Sequence, residues 1–271
     1  MIDLPSLFEI CEPRRDVLAG RITESDFAAD LAQVLRGDAP DEYKDPAKFF
    51  ANTHPTRGLK TLLRNVCLRL TGNPEQVAAI FRLDTNYGGG KTHALIALTH
   101  AVRGLRAVPS PGEFIDPALL PTELVRIAAF DGENADPYNG RALGDGLKAY
   151  TPWGELAYAL AGHDGYERVR QSDEKRIAPG SATLRELFGD EPTLILLDEL
   201  SVYLRKAWAE DRTAGKHAAH QAGDQTTAFL TALFKAVESS PRAVVVYTLA
   251  IGKGGSATDA YSAENRLIDK K

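Results

Sequence analysis

The chain has almost no cysteine: in 271 residues only Cys11 and Cys67 occur, far apart and without C-x-x-C spacing. That excludes a disulfide framework and a cysteine metal site as organising features, and two reduced, buried thiols are expected. No run of 18 apolar residues exists, and the opening M-I-D-L-P-S-L-F-E-I lacks the charged leader and apolar core of a secretory signal. A cytoplasmic protein without membrane contact is the expectation. Positive charge is not in excess either. Lys and Arg number 32 against 37 Asp and Glu, for a net charge of −5 and a pI near 5.7. No global basic field therefore draws the chain to nucleic acid or anionic lipid, although a local basic face stays open. An N-K-x-D tetrapeptide, the guanine-reading signature, is absent as well. The remainder is ordinary globular material, 44% hydrophobic and 25% charged, long enough for one large domain or one and a half.

Against that background one segment stands out. Residues 84–93 read D-T-N-Y-G-G-G-K-T-H and follow the apolar stretch V-A-A-I-F-R-L. Buried strand, glycine turn and helix-forming run in that order build a nucleotide-phosphate cradle. Gly88, Gly89 and Gly90 lack Cβ atoms, so they can take φ > 0 and turn successive N–H groups toward one anion. Lys91 brings a point charge to the β- and γ-phosphates, Thr92 a hydroxyl for Mg²⁺, and the following helix the positive end of its dipole. The expected cradle comprises Thr85, Asn86, Tyr87, Gly88, Gly89, Gly90, Lys91, Thr92 and His93. It departs from G-x-x-x-x-G-K-[ST] at the first glycine, which is Thr85 here. The bland alternative is an ordinary glycine turn between a strand and a helix.

A second motif supports the first. E-P-T-L-I-L-L-D-E-L, residues 191–200, reads as a fully buried parallel strand with two acids at its C-terminal end. In an open α/β sheet that end is where ligands bind, so the acids would arrive at the edge that carries the glycine loop. Asp198 fits the Walker-B role of holding Mg²⁺, and Glu199 fits the base that polarises the attacking water. An adjacent glutamate of this kind resembles the strand-catalytic-glutamate division of P-loop ATPases, so ATP is favoured over GTP.

Three regions are expected. Residues 1–75 form a small helical N-terminal region, 76–250 a P-loop ATPase core, and 251–271 a polar tail ending before any helical lid. In the first region a helix closes at Gly37 after a cap at Thr23 or Ser25. A turn-rich stretch follows that lies on the surface or bridges to the core, and then a helix of about fifteen residues opens at Thr56 and stops near Gly72. In the core, strands near 77–83, 124–130, 193–198 and 243–249 alternate with helical segments, which predicts an α/β three-layer sandwich around a parallel sheet. The fourth strand is placed between the first and the third. A capped helix begins near Thr151, and residues 162–180 read as a polar insertion.

Weaker candidates remain open. Thr248 near the end of the fourth strand is either a sensor for the attacking water and γ-phosphate or a β-branched strand residue. Asp131, Glu133 and Asn134 could orient Glu199, but the turn-rich text favours plain loop chemistry. Phe50, His54 and Thr56 could reach an adenine, with a solvated loop as the stronger reading. Residues 205–224 mix Arg205, Lys206, Arg212, Lys216, His217 and His220 with Trp208. A DNA- or peptide-gripping loop is one reading, and a mobile solvated loop the favoured one. The i, i+3 pair His217 and His220 lacks further ligands for a metal.

Taken together, G-D-A-P-D-E-Y-K-D-P-A-K-F-F-A-N-T-H-P-T, T-N-Y-G-G-G-K-T-H-A-L-I-A-L and L-I-L-L-D-E-L-S-V-Y-L resemble the N-terminal ATPase part of large prokaryotic AAA+-like proteins. That family is catalogued as a domain of unknown function and found in BREX-type anti-phage defence islands. The resemblance covers about Cys11–Leu249, and within it T-x-[FY]-G-G-G-K-T-H is common, so Thr85 is a family trait. It implies an ATP- and Mg²⁺-dependent module that works with other defence-complex proteins, and either a homo-oligomer or DNA contact through partners or the 205–224 segment is compatible with it. Family members are longer, which implies an N-terminal fragment whose first strand lies at a sheet edge. The competing readings are a nucleotide-dependent switch or scaffold with little hydrolysis, and a small-molecule kinase for which no acceptor pocket is visible.

Overall fold

The computed structural model describes residues 18–20, 29–72, 77–85, 90–144, 146–214 and 222–250. Helices α1 (Leu31–Arg36), α2 (Asp41–Lys44), α3 (Pro46–Ala51) and α4 (Arg57–Leu70) precede strand β1 (Ile80–Thr85) and helix α5 (Lys91–Gly104). Three short 3-10 turns lead to β2 (Arg126–Asp131) and a small hairpin of β3 (Arg141–Ala142) and β4 (Lys148–Ala149). Then come α6 (Pro152–Glu174), α7 (Ser181–Phe188), β5 (Thr193–Asp198), α8 (Leu200–Ala214), α9 (Ala222–Glu238) and β6 (Ala243–Ala250).

The fold is α/β. Its main sheet is parallel with strand order β1-β6-β5-β2, so β6 does lie between β1 and β5, and β1 is an edge among the described residues. Every residue of β5 is buried, as a strand covered on both faces requires. Its side chains alternate between two cores. Leu194, Leu196, Val244 and Val246 join the cluster of α1, α3, α4 and α5, while Ile195, Leu197, Val245 and Tyr247 join that of α6, α7, α8 and α9. The N-terminal helices thus share a core with the sheet.

Three local expectations are corrected. The turn-rich stretch after Gly37 contains two short helices, and Phe49 and Phe50 are buried. Asp45 caps α3 by accepting from the N–H groups of Ala47 (2.8 Å) and Lys48 (3.2 Å), and Pro46 occupies the first helical position. The same residues that mark turns therefore start a helix here. Secondly, residues 162–174 continue α6 past a break at Ala161 and Gly162, where Gly162 takes φ 58°. Polar residues are buried there because they satisfy one another. Asp173 is fully buried, accepts from the N–H of Tyr150 and the hydroxyl of Thr151, and lies 2.9 Å from the Tyr166 hydroxyl. Thirdly, 205–214 belongs to α8, and from 222 the chain is helical again as α9. Thr56 caps α4 as expected, accepting from the N–H of Leu59 at 3.2 Å.

A titratable group inside α6 gives a pH prediction. Glu155 is buried, and its carboxylate lies 3.3 Å from Arg141 Nε on the hairpin. Burial pushes it up to about 7, Arg141 opposes, and Asp131 and Asp173 reinforce the rise. Between the ordinary glutamate value and about 7 the folded chain therefore holds a proton that the unfolded chain has lost. Glu155 then makes the fold less stable as pH rises through that window. The melting temperature of Glu155→Gln should fall less steeply from about pH 5 to about pH 8 than that of the wild type, and parallel curves would show that Glu155 titrates ordinarily.

Candidate functional site

The two motifs meet at the C-terminal edge of the sheet. Gly90 closes the glycine turn with φ 74°, the left-handed backbone expected of it, and begins α5. Lys91 is 8% exposed. The Thr92 hydroxyl donates to Asp198 Oδ2 at 2.8 Å, and the Thr248 hydroxyl donates to Asp198 Oδ1 at 2.6 Å. Thr248 also accepts from the Glu199 N–H at 2.9 Å. A single chain of bonds therefore joins α5, β5 and β6. The fully buried Thr248 hydroxyl both donates and accepts within the protein, which makes it a positioning residue for the two acids.

The acids sit in an electrostatically costly place. Burial raises the Asp198 carboxyl above the ordinary aspartate range, against the pull of the Thr248 and Thr92 hydrogen bonds. Glu199 is raised by burial and then by the Asp198 charge, with Lys91 opposing. Its backbone takes φ 46°, a left-handed conformation that costs energy outside glycine. Gly132, after β2, explains how the turn closes. Its N–H donates to the Asp198 carbonyl at 2.9 Å, and a Cβ built there would lie 2.4 Å from the Glu199 carbonyl oxygen. In the sequence, the only sign of this close approach is the D-G dipeptide after a strand.

Asn86, Tyr87, Gly88 and Gly89 lie outside the described residues, as does the side chain of Thr85. His93 turns toward the N-terminal helices, its ring stacked on Phe49 at 4.3 Å and its Nε2 2.8 Å from the Thr53 hydroxyl. That hydroxyl donates its one proton to the Phe49 carbonyl at 2.6 Å, so His93 Nε2 carries the hydrogen and donates. Burial lowers the His93 pKa and favours this neutral ring. Asp131 matches the loop reading, accepting from the N–H groups of Glu133 and Asn134 at 3.0 and 3.2 Å. Lys206 donates to the carbonyls of Glu133 and Ala135. Trp208 packs onto the core and fills the space that a side chain at Gly223 would need. His217 and His220 lie outside the described residues. No helix among the described residues is long and apolar enough to cross a membrane.

The model of the DUF499 N-terminal domain matches residues 7–269. The chain belongs to the DUF499 family. No curated protein and no solved structure matched it. For this DUF499 domain, whose function the family name leaves open, the site itself is the guide. Among the described residues no group of three His, Cys, Asp or Glu side chains is arranged to ligate a metal. Thr92 and Asp198 still suit a Mg²⁺ ion, which commonly takes only one or two protein oxygens and completes its shell with water and phosphate.

A cleft of about 420 Å³ opens beside this edge and reaches Gly90 and Lys91. Its other wall comes from the segment between α3 and α4 and the start of α4. His54 and Thr56 line it, whereas Phe50 is packed in the core between Phe49 and Phe114.

Proposed function

We propose that this domain binds Mg²⁺-ATP and hydrolyses it, coupling turnover to conformational change in a prokaryotic defence complex. The observation that carries the reading is the bond chain from Thr92 through Asp198 to Thr248. It brings a hydroxyl after a Gly-Lys pair against a buried carboxylate from a residue 106 positions away. Thr92 and Asp198 would hold the ion, which would supply charge neutralisation at the phosphates. Lys91 would bind the phosphates, and Glu199, whose raised pKa suits proton uptake, would act as general base toward water. The defence setting rests on the sequence resemblance, as do partner proteins, self-association and DNA contact. A trans-acting arginine in such assemblies raises turnover by roughly 10³–10⁵, so slow hydrolysis by the isolated chain is expected.

A switch with little hydrolysis is the second reading. His93, next to Thr92, binds the N-terminal helices through Phe49 and Thr53, so nucleotide occupancy would be felt there whether or not turnover occurs. A pair of variants tests both readings. Lys91→Ala should weaken ATP binding more than tenfold, and Glu199→Gln should keep binding but release no phosphate. Undiminished affinity in the first would overturn the phosphate assignment. Unchanged phosphate release in the second would place the base elsewhere, and defence activity surviving without hydrolysis would favour the switch.

A further inference from the structure

We infer that Lys206 is a positioning residue for hydrolysis: it fastens the turn after β2 to α8, and that turn holds the backbone of Glu199. This rests on the general-base role proposed for Glu199. The Glu199 backbone is strained, with φ 46°, and such a conformation persists only where its surroundings fix it. Its N–H donates to the Thr248 hydroxyl at 2.9 Å, and its carbonyl accepts from the Val202 N–H at 3.0 Å in the first turn of α8. Gly132 closes a third side. It donates to the Asp198 carbonyl at 2.9 Å and lies so near the Glu199 carbonyl that a Cβ there would collide with it. The turn therefore has to stay shut for Glu199 to keep its conformation.

Asp131 gives the turn its shape. Its carboxylate accepts from the N–H groups of Glu133 (3.0 Å) and Asn134 (3.2 Å), and its carbonyl from the N–H of Ala135 (3.0 Å). These bonds are internal to the turn and do not attach it to α8. Lys206 does. Nearly two turns into α8, its ammonium donates to the carbonyls of Glu133 and Ala135, the second at 3.1 Å, and three hydrogens on one nitrogen suit two acceptors at once. Tyr203, three residues earlier and so on the same face of the helix, meets Phe130 of β2 edge-on at 4.9 Å. The two contacts grip the chain just before Gly132 and just after it. Because α8 starts directly after Glu199, the clamp joins the turn to the very helix that Glu199 leads into.

The experiment compares the full-length wild type with Lys206→Met, which keeps a long unbranched stem and removes the donor, and with Lys206→Arg, which restores donors. With the chain in excess over Mg²⁺-ATP, single-turnover phosphate release by Lys206→Met should slow roughly tenfold or more, since a misplacement of about 1 Å at a reacting group can cost roughly 10²-fold. Mg²⁺-ATP affinity, read by calorimetry, should stay within about twofold, because Lys91, Thr92 and Asp198 are untouched. Deuterium uptake of the 131–136 peptide should rise. Lys206→Arg should recover both the rate and the protection. Wild-type phosphate release in Lys206→Met, affinity lost by the same factor as rate, or an arginine variant as slow as the methionine one would each overturn the inference and leave the ATP site standing. Unchanged exchange at 131–136 would overturn it too, and that readout needs no turnover. A wild-type chain that binds Mg²⁺-ATP without ever releasing phosphate would instead remove the hydrolysis reading, and the positioning role with it.

Discussion

Asp198→Asn should lose Mg²⁺-dependent ATP binding and melt at a higher temperature than the wild type in the absence of ligand. Both effects have one origin. The Asp198 carboxylate is 6% exposed, and burial is the leading reason its pKa is raised, ahead of the opposing Thr248 and Thr92 hydrogen bonds. When ionised, Asp198 thus carries a charge that its surroundings disfavour, beside a second acid that is raised in turn. Asparagine removes the charge and keeps the bonds. Its carbonyl can accept from Thr248 and the Glu199 N–H, and its amide can donate to Thr92, whose hydroxyl accepts as readily as it donates.

A gain on the order of 1 kcal/mol, roughly 2–4 °C for a chain of this size, is expected. The sign with pH comes from the raised acid. The variant's advantage is largest above the folded Asp198 pKa and fades below it, where the wild type is protonated as well. The cost falls on function. Altering even the partners of a metal ligand weakens binding by roughly 10–100-fold, and removing a ligating charge should do no less. Calorimetry with and without Mg²⁺ reads the metal effect, and thermal melts as a function of pH read the stability effect. Wild-type Mg²⁺-ATP affinity in the variant would remove Asp198 from the metal site.

Arg69→Ala should be among the most destabilising single changes in the described core. Arg69 lies near the end of α4 at 5% exposure. Its Nη2 donates to the carbonyls of Ser240 at 2.9 Å, Val237 at 3.2 Å and Glu238 at 3.3 Å, and its Nε to that of Ala243 at 3.3 Å. One planar side chain thereby satisfies the end of α9 and the first residue of β6. Its removal leaves three buried carbonyls and that of Glu238 without this donor, a loss of about 3 kcal/mol or more. That corresponds to roughly 6–12 °C. Arg69→Lys should recover only part of this, because an ammonium on a single stem cannot span both the α9 end and β6. β6 carries Thr248, so nucleotide affinity should weaken along with stability. A melting temperature within about 2 °C of wild type would show that the carbonyls find other partners.

Much of the candidate site is legible in the sequence. The run T-L-I-L-L reads as a covered strand because its apolar residues are uninterrupted and bounded by Pro192. Gly90 reads as a left-handed residue because it closes a glycine turn between a strand and a helix. The helix opening at Thr56 is legible from its cap. The burial of Phe49 and Phe50 is not, since Asp45-Pro46 begins a turn or a helix equally well and only the aromatic packing against α5 decides between them. Residues 162–174 read as a polar insertion because Tyr150 and Thr151, which join Tyr166 as partners of Asp173, come to it only across a bend in α6. Lys206 and Trp208 read as part of a solvated loop because nothing nearby in the chain announces Gly223 or the carbonyl of Ala135.

Local chemistry decides which residue types stand at the site: a glycine before Lys91, a hydroxyl after it, and two acids ending a buried strand. These are short-range requirements, met within single motifs. Their mutual arrangement has another source. Sheet order β1-β6-β5-β2 sets Thr248 beside Asp198, folds the N-terminal helices over the cleft at Lys91, and closes Gly132 against Glu199. Those contacts join residues far apart in the chain. They exist because alternate side chains of buried strands had to find two different helical layers.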